Sequence, residues 1–170
     1  MGNSEGGTTM TESPVFTSYE FKILANVEKH GVHVTTVLAD PPFTYSTGFT
    51  ETVDEPEAIV FGLDGDGMGH LINKLLYKCR NGLKLEDGVR ISGLLTGFDV
   101  IGRSLPAHSI ERDYLNSAMW WHRRHFGRDL ERVVQIVWPC SFTGLLPWED
   151  GCPQDVIELQ PPLYKASLNS

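Results

Sequence analysis

Ala58-Ile59-Val60-Phe61-Gly62-Leu63, running straight into Asp64-Gly65-Asp66-Gly67-Met68-Gly69, is the stretch that decides the fold class. The first six residues form an unbroken apolar run, the pattern of a central strand buried on both faces. Past the Gly-rich turn, Met68, Leu71, Ile72, Leu75, Leu76 and Cys79 recur at intervals of three and four, which is one apolar stripe along a helix, and Gly82 closes it.

The flanking segments supply the other elements. Upstream, Thr17 and Glu20 make a capping box, and Ile23, Leu24 and Val27 give a short apolar stripe that ends at Gly31. Val32, Val34, Thr36 and Leu38 then alternate as a strand. Asp40-Pro41-Pro42 separates it from a second strand over Phe43 to Phe49, an antiparallel hairpin. Downstream, strands are expected at Val89 to Leu95 and Gly97 to Arg103. Ser109 is expected to cap a third helix reaching Phe126, with Tyr114, Ala118, Trp121 and His125 on its stripe. Arg132 to Trp138 reads as the last long strand and Val156 to Leu159 as a weak one. Hairpins interrupted by single helices give an α+β class: one domain, a mostly antiparallel bent sheet and about three helices, an order compatible with a small split barrel. Residues 1–15 read as a Gly, Ser, Thr and Glu-rich disordered leader, 16–152 as the single domain and 153–170 as a C-terminal tail.

Bulk properties exclude several roles. A chain of 170 residues can bury about 70% of its unfolded surface in one core and is short for two domains. A formal charge of −8 argues against a nucleic-acid partner, since phosphate binding needs a basic face. Three cysteines without a Cys-x-x-Cys pair fit a reducing cytoplasm better than a disulfide framework. No apolar window approaches the ~20 residues of a membrane span, so a membrane partner is not expected. Gly2 lacks the Ser or Thr at position 6 that myristoylation requires, Gly6 standing there instead.

Three blocks carry a family resemblance: Tyr45-Ser46-Thr47-Gly48-Phe49, Glu55-Pro56-Glu57 ahead of the Ala58 strand, and Trp138-Pro139 followed by Pro147-Trp148-Glu149. Together they resemble the bacterial and phage family called domain of unknown function 4262. The likeness runs from about Phe21 to Gly151, with Ile23 to Val37 similar to that family's helix and strand entry. It implies a fold and no chemistry. Cys140 stands where the family usually has Asp.

Four places could carry chemistry. The Gly-rich turn from Gly62 to Gly69 offers amides to an anion, yet it lacks the Lys of a phosphate loop and carries Asp64 and Asp66; read as a calcium loop, it has Met68 and Leu75 where oxygen ligands belong. Its plainer reading is a helix capped by Asp66. His30-x-x-His33 and His122-x-x-His125 share a spacing that can chelate a metal on one helix face. The first pair straddles a helix end, and Arg123, Arg124 and Arg128 make the second locally basic, so no metal site is assigned. Cys140 is a nucleophile only if a base or cation lies beside it. Last, Tyr45, Phe49, Trp138, Phe142, Pro147 and Trp148 form an aromatic and proline set that would build either a lid or a binding surface.

Because no acid, base and nucleophile assemble from these spacings, the first expectation is a non-catalytic binding or protein-interaction module of an accessory or host-interaction type. Its expected surface is Tyr45, Phe49, Trp138, Pro147 and Trp148, with His122, Arg123, Arg124 and Arg128 as an alternative basic face. The partner expected is a second copy in a homodimer, or another protein. The second reading is a small-molecule enzyme or cofactor binder, a flavin by analogy with split barrels. The third is a metalloprotein built on the histidine pairs. No cofactor is required by the sequence.

Overall fold

Residues Glu57–Phe61 form a strand buried at all five positions, and Gly65–Arg80 form the helix that covers one of its faces. Alternation along the strand sorts the side chains. Ala58 and Val60 pack with Met68, Leu71, Ile72 and Leu75, whereas Ile59 and Phe61 pack on the opposite face with Phe43, Leu115 and Ala118. The computed structural model describes residues 15–165, so the expected leader lies outside the described residues except for Val15.

The strands are β1 (His33–Val37), β2 (Phe43–Thr47), β3 (Glu57–Phe61), β4 (Arg90–Leu95), β5 (Phe98–Ser104) and β6 (Val133–Val137). The helices are α1 (Ser18–His30), α2 (Phe49–Val53), α3 (Gly65–Arg80), α4 (Arg112–Phe126) and α5 (Gln154–Leu159). One six-stranded sheet runs β1-β2-β3-β6-β5-β4. Four of its pairings are antiparallel and β3 with β6 is parallel, which makes it a mixed α+β sheet. It stays open, with β1 and β4 at its edges, so the split-barrel order does not close into a barrel. The reason lies in the strands themselves: β2, β3 and β6 are buried throughout, and a sheet buried on both faces is sandwiched between helices.

Several local expectations hold. Thr17 and Glu20 form the reciprocal capping box, and Gly31 ends α1 at φ 85°, a left-handed turn that glycine adopts without strain. Others need correction. Asp64, not Asp66, caps α3, its carboxylate accepting from the Gly67 amide at 3.1 Å. Ser109 falls in a 3₁₀ turn, and α4 begins at Arg112. Leu115 breaks the helical dihedrals of α4 (φ −135°, ψ 29°), so the buried stripe becomes Leu115, Ala118, Trp121 and His122, and His125 turns outward.

Val156 to Leu159 is helix, not strand: Pro153 opens the turn, and Val156 drops into the α3-side core. Two buried glutamines tie the following segment down. Gln160 Oε1 accepts from the Trp138 amide at 3.0 Å while its Nε2 donates to the Trp138 carbonyl at 2.9 Å, imitating a strand neighbour. Gln135 donates to the Pro161 carbonyl and accepts from the Leu163 amide. Among the described residues no helix is long and apolar enough to cross a membrane.

Candidate functional site

Helices α1 and α4 pack side by side through Ile23, Val27 and Trp121, and beside that contact they leave a cleft of about 710 Å³. Ile23, Met119 and Trp120 give it apolar wall, Tyr19 and Ser117 give it hydroxyls, and Arg112, Arg123 and Arg124 line it with Glu20 and Asp129. The cationic excess is local, because the chain as a whole carries −8. Arg123 bonds Asp129 at 3.1 Å, but both side chains are well exposed, so the pair holds the arginine only weakly. Arg124 lies over the Phe16 ring at 4.6 Å.

A chain of hydrogen bonds runs from the cleft into the protein. Ser117 Oγ donates to Tyr19 Oη at 3.2 Å, and Tyr19 Oη meets His33 Nε2 at 3.1 Å and Thr35 Oγ1 at 3.0 Å. Asn26 Nδ2 faces His33 Nδ1 at 2.9 Å. With the amide assigned this way, Asn26 can only donate, so Nδ1 accepts and Nε2 carries the proton. The Tyr19 hydroxyl then accepts from His33 and Ser117 and donates to Thr35, so both His33 ring nitrogens and the Tyr19 hydroxyl are satisfied. A protonated His33 would set an N–H against an N–H. Burial, followed by the Lys22 charge, holds its pKa below the usual histidine value, in keeping with that arrangement.

The break at Leu115 serves the same site. It takes the Ser117 amide out of the helix ladder, and that amide donates instead to Tyr45 Oη at 2.9 Å. The phenol thus caps the second segment of α4 from β2.

A second polar centre lies at the head of β3. Glu57 is fully buried, and its carboxylate accepts from Ser46 Oγ at 2.6 Å and from the Gly48 and Phe49 amides at 2.9 and 3.1 Å. These amides open α2, so the carboxylate satisfies a helix start whose own N-cap, Gly48, has no side chain. Ser46 Oγ in turn accepts from the Ala58 amide at 2.9 Å. Desolvation raises the Glu57 pKa to about 7 against the opposing pull of these donors.

Residues 26–153 match the family described as domain of unknown function DUF4262, three quarters of the chain. The chain belongs to that family. Comparison with curated proteins and with solved structures finds no match. The DUF4262 span takes in Asn26, His33, Ser117 and Glu57, whereas Tyr19 lies upstream of it. Within it, Ser46, Gly48 and Phe49 on one side and Glu57 and Ala58 on the other form one hydrogen-bonded joint.

The aromatic and proline residues singled out from the sequence do not gather on one surface. Tyr45 is buried against α4, Phe49 and Trp138 are buried on the α3 side, and Trp148 is half-buried in a third cluster with Tyr164. Trp138 Nε1 donates to the Phe61 carbonyl at 2.7 Å, which uses its polar edge inside the core. Trp148 and Tyr164 meet edge to face, and the Arg103 guanidinium packs against both rings, at 5.2 and 4.9 Å from their centroids, while also bonding Asp87 at 3.2 Å. Pro147 is half-buried beside Trp148, while Phe142 is 96% exposed.

The histidines separate as well. His30 sits in the last turn of α1 and His33 in the buried network. His122 is buried, its ring 4.6 Å from Phe126, with Nδ1 unpartnered; His125 stacks on Trp121 at 4.7 Å and bonds Glu51 at 2.9 Å. Arg128 leans over Phe126. Of the basic set named from sequence, Arg123 and Arg124 line the cleft, and His122 and Arg128 do not. Among the described residues no group of three His, Cys, Asp or Glu gathers to hold a metal ion.

Sequence reasoning did not single out Tyr19, Asn26, Arg112 and Ser117. One signal was available: Tyr19 and Asn26 are seven apart, two helical turns on one face of α1, and they bracket the buried Ile23.

Proposed function

We propose that this chain is a non-catalytic binding module whose site is the α1–α4 cleft and whose ligand is a small anion with an apolar or aromatic part. One observation carries the reading: Arg112, Arg123 and Arg124 line the same cleft as an apolar wall and the exposed end of the Ser117–Tyr19–His33 chain. Guanidinium groups pair with carboxylate or phosphate in planar, bidentate fashion, and Ile23, Met119 and Trp120 offer the apolar contact that would separate an aromatic acid from a bare ion. His33, held neutral between Asn26 and Tyr19, supports a positioning role rather than proton transfer. The flavin analogy loses its footing, since it rested on a barrel and the sheet is open.

Titration with benzoate, acetate and inorganic phosphate, followed by intrinsic tryptophan fluorescence and thermal shift, tests the proposal. Benzoate is expected to stabilise the protein more than acetate, and Arg123→Ala with Arg124→Ala is expected to abolish the shift while leaving the unliganded melt in place. Shifts of equal size in wild type and variant, or none with any of the three anions, would overturn it.

A further inference from the structure

Beyond the cleft, the loop that follows β6 brings two cysteines to one backbone carbonyl. The Cys140 amide donates to the Leu145 carbonyl at 2.9 Å, and Cys152 Sγ approaches that same carbonyl at 3.7 Å. Both side chains pack into one hydrophobic cluster, with Val156 and Leu159. The loop between them is tightly tied: the Gly144 amide bonds the Cys140 carbonyl at 2.8 Å, the Leu146 amide bonds Glu149 Oε1 at 2.8 Å, and the Cys152 amide bonds the Glu149 carbonyl at 3.1 Å. The Leu145 carbonyl, bonded by the Cys140 amide and approached by Cys152 Sγ, ties the two ends of this loop to one point.

From this convergence we infer that Cys140 and Cys152 are a reversible disulfide pair, and that its formation closes the 140–152 loop in response to peroxide. The two sulfurs are chemically unequal. Cys140 Sγ accepts from the Thr143 hydroxyl and from the Thr143 and Phe142 amides, which together hold its pKa below the ordinary thiol value. Cys152 has a raised pKa, from burial first and then from the nearby Cys140, and it is partly exposed at the loop end. Cys140, although buried at 3% exposure, is the more acidic thiol and so the attacking one, and Cys152 resolves it.

The Cys140 thiolate attacks one peroxide oxygen, the O–O bond breaks, and hydroxide leaves with Cys140 oxidised to the sulfenic acid. The Cys152 sulfur then attacks Cys140 Sγ, the S–O bond breaks, and water leaves carrying the Cys152 proton. A dithiol reductant reverses the step by thiol exchange. The third cysteine is a built-in control. Cys79 is buried on α3 with its thiol pushed up to about 12, so it should stay reduced. The exposed Phe142 rides on the closed loop, so oxidation would fix the conformation of an apolar tip.

The test treats the full chain with hydrogen peroxide, counts thiols after denaturation, and maps peptides without reduction. The expected result is a fall from three thiols to one, a cross-linked pair of peptides containing Cys140 and Cys152 within one chain, and full return with dithiothreitol. In Cys152→Ser, dimedone should trap the sulfenic acid on Cys140. Three thiols persisting, Cys140 driven to sulfinic acid without a cross-link, or a link between two chains would each overturn the inference. The wild-type peptide map decides the matter even if a variant fails to fold.

Discussion

Replacing Glu57 by Gln should change the way stability depends on pH. The native carboxyl has its pKa raised from 4.5 to about 7, so the folded state binds a proton more tightly than the unfolded chain. A raised acid of this kind is most stabilising below pH 4.5, and the contribution is lost as pH climbs from there through 7. With each unit of pKa shift equal to about 1.4 kcal/mol, the loss across that window is on the order of 3 kcal/mol. Gln removes the ionisation and also sets an amide N–H2 against one of the three donors, the Ser46 hydroxyl or the Gly48 and Phe49 amides. An unsatisfied buried donor costs about 1–3 kcal/mol. Urea melts at pH 5 should therefore show the variant less stable by about that amount. By pH 8 the gap should close or reverse, because the wild type then holds a buried charge and the variant does not. A gap that stays constant between pH 5 and pH 8 would show that Glu57 keeps one protonation state throughout and would refute the argument.

The core of α3 predicts a contrast between neighbours: Leu75→Ala, at 0% exposure, should cost about 2–5 kcal/mol in a thermal or urea melt, and the adjacent exposed Lys74→Ala close to nothing. In the cleft network, Asn26→Asp would place a carboxylate against His33 Nδ1, so an NMR titration should find the His33 pKa above its wild-type value. For the wild type the lowered His33 pKa has the opposite sign to Glu57: its stabilisation is present above pH 6.5 and lost as pH falls through the lowered value. Trp148→Ala uncovers the buried Arg103 and removes the Tyr164 contact, so it should lower stability by about 1–3 kcal/mol, and an unchanged melt would show that the Trp148–Arg103–Tyr164 cluster is not formed in solution.

Local periodicity settled much of this protein. The doubly buried run at Ala58, the stripe of α3, the Thr17–Glu20 capping box and the hairpin that turns through Pro41 and Pro42 are all properties of residues a few positions apart, and local sequence is enough to specify them. The α+β class followed from their order. What escaped depended on neighbours distant in the chain. Helix α2 owes its start to a carboxylate eight and nine residues downstream, and the weak apolar stretch at Val156 became helix because Val156 and Leu159 reach the core together from one side.

The site shows the same division. That the segment around Arg123 and Arg124 is basic could be read directly, but its becoming the wall of a cleft required α1 to lie beside it. Tyr45 and Trp138 looked like surface anchors because their polar edges need partners. The fold supplies those partners internally, from the Ser117 amide and the Phe61 carbonyl, which are 72 and 77 residues away. A lone aromatic donor in a sequence carries no mark of whether its hydrogen bond will be made by the core or by a ligand; only the tertiary structure decides, because the desolvation cost is the same and the partner is remote.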